Sequence, residues 1–293
     1  MNSFDDFREV IKAGEPMAPH VWFRLGGPAA FLAKPGTLEE LLGLVKRCRD
    51  AGLPWKVLSG GSNVLVRDEG VNALVLHLES PAFADVRVEG RVVTVGAAVP
   101  LTALISQSAR AGLAGLESLT GIPGTVGGAL RTNAGNRQAV IGQYVRSATV
   151  VDAADEVRVR DRDDLNLADR GSNFDDPLIL SAEFELEHDE PEAVVKRMRR
   201  IWIVKKEGQP YGHQSSGYIF KNFNPDLSAA TLIEQAGLKG ARQGGAEVSE
   251  RNANFIVAQP GARADDVLRL IDHVRQQVRK QFGYELETQI QVW

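Results

Sequence analysis

The chain has 293 residues, 43% of them apolar and 25% charged, with a net charge of −4. That composition excludes an intrinsically disordered chain and leaves room for more than one buried core. The acidic balance argues against a nucleic-acid partner, whose footprint is normally basic, and no run of about 18 apolar residues offers a membrane span.

"MNSFDDFREVIKAG" predicts an amphipathic helix with acidic residues near its start. It has neither the basic n-region nor the apolar h-region of a signal peptide. The lone cysteine, Cys48, allows no internal disulfide, so a cytoplasmic location is expected. From Thr37, "TLEELLGLVKRCRDAG" predicts a helix: Thr37 caps it, Glu40 completes a capping box and Gly52 stops it. Cys48 shares a face of that helix with Leu41, Leu42 and Val45, which makes it a core residue.

"WKVLSGG", "NVLVRD" and "ALVLHL" read as strands, rich in branched residues. A hairpin turns at Glu89 and Gly90, and a helix opens on Pro100. "VRSATVVDAADEVRVR" is a second hairpin and "PLILSAEFELEHD" a long strand. The helix "PEAVVKRMRRIWIVKKEGQP" ends at Gly208 and Pro210, with a domain boundary near its start. A strand at "GYIFKN", a helix at "LSAATLIEQAG", a strand at "NFIVA" and the helix "ADDVLRLIDHVRQQVRKQFG" follow. The closing strand "ELETQIQVW" is expected to return Trp293 to the first domain. Strands and helices mix without regular alternation, which predicts an α+β fold.

Two glycine-rich stretches stand out. "GIPGTVGGALRTNAG", residues 121–135, holds five glycines and no acid; "SGGSN", residues 59–63, holds only glycines and small donors. Each glycine is entropically costly to order. Successive amides in such turns form concave nests for phosphate oxygens. No Gly-Lys-Ser/Thr follows, which excludes a Walker loop, and the dinucleotide pattern Gly-x-Gly-x-x-Gly is absent. One such loop alone would be simply a turn. Two of them, with "RLGGPAA" at 24–30, point to a phosphate-bearing cofactor. The five histidines show no metal-ligand spacing, so no metal is expected.

Taken in order, "FRLGGPA", "GGSNVLVRDEG", "GIPGTVGGALRTNAG", "KKEGQP", "FKN", "LIEQAGLKG", "GGAEVSERNANFIV" and "LETQIQV" resemble the UDP-N-acetylenolpyruvoylglucosamine reductase family, type II branch. The resemblance implies a two-part FAD-binding domain of the vanillyl-alcohol-oxidase/PCMH-like type, residues 1–79 and 80–195, plus a smaller C-terminal α+β substrate domain, 196–293. It implies FAD and NADPH as cofactors, a UDP-sugar substrate, and reduction of UDP-N-acetylenolpyruvoylglucosamine to UDP-N-acetylmuramate for peptidoglycan synthesis. FAD would contact Ser59, Gly60, Gly61, Ser62 and Asn63, then Gly121, Gly124, Thr125, Gly127, Gly128, Asn133 and Gly135. Lys205, Ser172 and Asn222 would bind substrate, and Arg170 would hold its carboxylate.

The chemical positions depart from the family pattern. "DRGSNF" keeps Arg170 and Ser172 but has Asp169 where tyrosine is usual. "SSGYIFKN" puts Tyr218 at the proton-donor position of a serine or cysteine, and "LETQI" puts Gln289 at that of a glutamate. Asn252 stands in for a histidine. A phenol can donate a proton, but its hydroxyl lies roughly 4 Å further out than that of serine. Gln289 can hydrogen-bond and cannot ionise. Two readings stay open: a working reductase with replaced groups, or an FAD-binding relative that lacks this reaction or acts on another substrate.

Overall fold

The structure, a computed structural model, describes residues 4–136, 138–165, 174–223 and 227–293. It divides into two compact units. The first comprises Met1–Ala13, Phe31–Gly60 and Ala73–Ile203; the second comprises Gly14–Ala30, Gly61–Asn72 and Val204–Trp293. One passage from the first to the second falls between Gly60 and Gly61, inside the shorter glycine-rich stretch.

The first unit is built on two sheets. One orders its strands Ile11–Ala13, Ala29–Ala33, Val71–His77 and Trp55–Leu58. The helix Leu38–Asp50 lays Leu41, Leu44, Val45 and Cys48 into a core with Leu74 and Leu76. Thr37 Oγ1 accepts the Glu40 amide at 3.2 Å, while Glu40 reaches back to the Gly36 amide instead of completing the box on Thr37. Burial pushes the Cys48 thiol up to about 11, which suits an inert core side chain.

The helix expected at the start is absent. A single 3-10 turn, Asp5–Phe7, precedes the strand Ile11–Ala13, which pairs antiparallel with 31–33. Phe4, Phe7, Val10 and Ile11 all pack on the core. A short helix is marginal alone, so pairing and burial outweigh its periodicity.

The other sheet is antiparallel, ordered Val157–Asp161, Val145–Val151, Leu178–Glu185, Val92–Gly96 and Val86–Glu89. Both expected hairpins form it, with the long strand between them. Gly90 takes φ +61° at the first turn, where any other residue would be strained. The helices Leu101–Arg110 and Val126–Arg131 complete its core through Leu101, Leu104, Val126 and Leu130.

In the second unit the strands Gln214–Ser215, Ile256–Ala258, Ala246–Val248 and Arg242–Gln243 form a sheet, and the helices Ala229–Gln235 and Ala264–Phe282 share its core. Phe23, Leu25 and Leu65 join that core from the early segments. Asp68 accepts the amides of Ala264 and Asp265, each at 3.1 Å, and so caps the long helix.

The strand expected at "GYIFKN" shrinks to one bridge, Phe220 to Thr288, and the closing strand to Gln291–Val292, parallel to Val64–Leu65. Trp293 donates to the Leu65 carbonyl at 2.9 Å and accepts from the Arg67 amide at 2.9 Å, so the chain end does return to early sequence. Among the described residues no helix is long and apolar enough to cross a membrane.

Candidate functional site

In the first unit, the turn at Ser59 and Gly60 lies against residues 124–128. Ser59 Oγ and Thr125 Oγ1 are 2.6 Å apart. The amides of Val126 and Gly127 donate to Val99 and Ala97, and Gly124 accepts from Leu101, which pins the loop to residues 97–101. Gly121 and Gly124 take φ +82° and +102°.

The bareness of these glycines has a nearer cause than a cofactor. A Cβ on Gly60 would stand 2.8 Å from Gly124 Cα, one on Gly127 2.9 Å from Ala97 Cβ, and one on Gly128 2.6 Å from Ser59 Oγ. On Gly135 it would stand 2.6 Å from Val140 Cα. Protein, not ligand, fills the space that those side chains would need. What the packing leaves over is donors. Among the described residues the amides of Gly60, Gly124, Thr125 and Gly128 donate to no protein acceptor.

Asn133 sits at φ +43° and is 3% exposed. Its Oδ1 accepts the Gly142 amide at 3.0 Å, so it shapes the loop. Arg131, in the same motif, went unnoticed in sequence. Its Nη2 donates to the carbonyls of Asp176 and Pro177 at 2.6 and 3.0 Å. A lone cation in a glycine-rich, acid-free stretch is the signal that the sequence offers.

In the second unit, Gly61 has φ +65°, and an added Cβ would overlap the His20 carbonyl oxygen. The amides of Gly61 and Asn63 donate to no protein acceptor among the described residues. The Asn63 carboxamide, expected to face the cofactor, instead donates through Nδ2 to the Gln289 carbonyl at 3.1 Å. Ser62 O accepts the Gly217 amide at 3.0 Å, and Asn63 O accepts that of Gln291 at 2.9 Å. The Gln289 amide donates to Ile219 O at 2.7 Å. The structure therefore brings together Ser62, Asn63, the segment bearing Tyr218, and Gln289, from three distant stretches of sequence.

Tyr218 is 40% exposed, its ring edge-on to Phe255 at 5.2 Å. Tyr211 is near enough that, after burial, Tyr218 is the second cause raising its hydroxyl. Burial pushes the Lys205 ammonium down to about 8. Asn222 Oδ1 accepts the Ala229 amide at 3.0 Å, at the first residue of the helix Ala229–Gln235. Asn252 Oδ1 accepts the Asn254 amide at 3.0 Å, giving the replaced histidine position a structural use. Arg170 and Ser172, with Asp169, lie outside the described residues. Among the described residues no cluster of side chains could hold a metal.

Each donor set, on a glycine turn in a stretch with no acid, suits phosphate oxygens of a nucleotide cofactor. Residues 29–160 match the FAD binding domain model. Residues 209–293 match the model of the UDP-N-acetylenolpyruvoylglucosamine reductase C-terminal domain. The fold is the two-part FAD-binding type with a smaller C-terminal α+β domain, and the chain is a flavin-dependent oxidoreductase.

The UDP-N-acetylenolpyruvoylglucosamine reductase of Heliobacterium modesticaldum is 39% identical over 98% of this chain and 92% of its own. That of Rhodopirellula baltica is 33% identical over 99% and 94%. The crystal structure of the Thermus caldophilus reductase has a TM-score of 0.82 at 35% identity, covering 97% of this chain and 98% of that one. This chain belongs to the UDP-N-acetylenolpyruvoylglucosamine reductase family.

Proposed function

We propose that this chain reduces UDP-N-acetylenolpyruvoylglucosamine to UDP-N-acetylmuramate with NADPH, in the cytoplasm, as a step of peptidoglycan precursor synthesis. Membership of the family, over nearly the whole chain, carries this reading. The grouping of Tyr218 and Gln289 on one run of main-chain bonds supports it. The division of labour would follow 1–79 and 80–195 for FAD and 196–293 for substrate.

The amides of Gly60, Gly124, Thr125 and Gly128, and those of Gly61 and Asn63, are the groups that would hold the FAD diphosphate, and the turns at Gly121, Gly127 and Gly135 would keep them in shape. Bound FAD supplies hydride exchange with NADPH and then with the enolpyruvyl double bond. Everything else falls to side chains. As hydride reaches one carbon of that bond, charge builds toward the substrate carboxylate, which Arg170 would hold with Ser172 beside it.

The neighbouring carbon then needs a proton. Tyr218 is the donor in this reading, since a phenol holds its proton at neutral pH and gives it up more readily than an aliphatic hydroxyl. Gln289 orients rather than ionises, offering its carboxamide beside the segment that carries Tyr218. Lys205, as a cation, would meet the UDP diphosphate, and Asn222 would retain its amide nitrogen for substrate. No observation favours the alternative of a relative without this activity.

The test separates the two halves of the reaction. Purified protein loaded with FAD is expected to bleach anaerobically with NADPH and to recover its yellow colour on adding the enolpyruvyl UDP-sugar. Bleaching without recovery would defeat the proposal.

A further inference from the structure

The segment 217–221 bends at Gly217 and Ile219 and lies in no strand, with one isolated bridge at Phe220. Three of its main-chain groups, the Ile219 amide and the amide and carbonyl of Phe220, bond to Asn254. Asn254 is 1% exposed, and its carboxamide grips Phe220 from both ends: Nδ2 donates to the Phe220 carbonyl at 2.9 Å, and Oδ1 accepts the Phe220 amide at 2.9 Å. The Asn254 carbonyl accepts the Ile219 amide at 3.0 Å. Ile219 passes the hold onward, since its carbonyl accepts the Gln289 amide at 2.7 Å. Asn254 is itself fixed by the turn at 252–255, where the Asn252 side chain accepts its amide, the Asn252 carbonyl accepts that of Phe255, and the Phe255 carbonyl accepts that of Ser249.

Only asparagine fits both ends of this grip. Aspartate has no donor for the Phe220 carbonyl, leucine has neither group, and a buried main-chain amide or carbonyl left unpaired is costly. A neighbouring strand would have done the same job with less specificity of register.

We infer that Asn254 is the positioning residue that sets both Tyr218 and Gln289 for the reaction, and this rests on the reductase reading above. The physical need follows from the tyrosine. A long side chain converts a small main-chain shift at 217–221 into a large displacement of its hydroxyl, so the segment has to be held rigidly. The ring stands edge-on to Phe255 and is 40% exposed.

The experiment compares Asn254→Asp with the parent, both loaded with FAD. Aspartate keeps the shape and the acceptor for the Phe220 amide; its ionised form loses the donor and sets a buried negative charge against the Phe220 carbonyl. Reduction by NADPH is expected to stay within about twofold of the parent, and reoxidation by the enolpyruvyl UDP-sugar to fall about 100-fold, the usual cost of an ångström of misplacement. Hydrogen exchange at the amides of Ile219, Phe220 and Gln289 is expected to quicken about tenfold with the remainder of the chain unchanged. Adding Tyr218→Phe should cost less than the product of the two separate losses.

Unchanged exchange at those three amides, equal losses in both half-reactions, or multiplying losses would each overturn the inference. Asn254→Ala extends the series if it folds. A parent protein that bleaches and never recovers would sink the reductase reading instead, and the exchange comparison would then decide the grip alone.

Discussion

The loop 121–135 in the first unit and the segment 217–221 in the second solve opposite problems. The loop presents main-chain donors, and its glycines are fixed by close approach of the protein to itself: Gly60 to Gly124, Gly127 to Ala97, Gly128 to Ser59. The segment presents a side chain, and its main chain is fixed by borrowed partners, Ser62, Asn254, Glu287 and Gln289. Backbone recognition tolerates no added atom, because the recognising groups are the packed groups. Side-chain chemistry can be exchanged at a position whose main chain is held independently, as it is around Tyr218 and at Gln289.

The comparison breaks most sharply at the glycines. Gly61→Ala adds a Cβ at a positive φ and against the His20 carbonyl. Loss of essentially all bound flavin is expected, read as the ratio of flavin to protein absorbance in the purified sample. A protein that stays fully yellow would separate the turn from the cofactor.

Next comes the side chain. Tyr218→Phe removes only the hydroxyl, and reoxidation by substrate should fall about 10²- to 10⁴-fold, the range for losing a positioned proton donor. Flavin content and reduction by NADPH should not change. Retained reoxidation would assign the proton to another group.

Lys205 offers a graded test. Its ammonium, lowered by burial to about 8, is charged below that pH and neutral above it. The KM for the UDP-sugar is therefore expected to rise by about tenfold per unit as pH climbs past 8. In Lys205→Arg, whose guanidinium stays charged, that rise should vanish. A KM that is flat with pH in the parent would remove Lys205 from the diphosphate.

The smallest effect belongs to loop shape. Asn133→Ala leaves the buried Gly142 amide unpaired and keeps a non-glycine residue at positive φ. A stability loss of about 1–3 kcal/mol is expected in denaturant titration, with flavin affinity weakened less than in Gly61→Ala.

Much of this was legible in residues alone. Both hairpins and the helix capped by Thr37 follow from local turn and cap chemistry, which needs only neighbours in sequence. The glycine loops stand out for the same reason, while the atoms that exclude a Cβ at Gly60 or Gly128 come from over 60 residues away. The opening segment was misread because its helical period competes with pairing to residues 31–33, a non-local term. Asn254 and the use of Asn63 on Gln289 were invisible, since a carboxamide carries no mark of the partner it will meet.

By itself, the amino-acid order determined the local elements, the acid-free donor turns and the identity of the groups at each chemical position, because those depend on backbone preference and covalent structure. Only tertiary structure decided that residues 61–63, 217–221 and 287–291 form one bonded set. Hydrogen bonds between distant main-chain groups are short-ranged and indifferent to residue type, so no residue pattern encodes which of them will form.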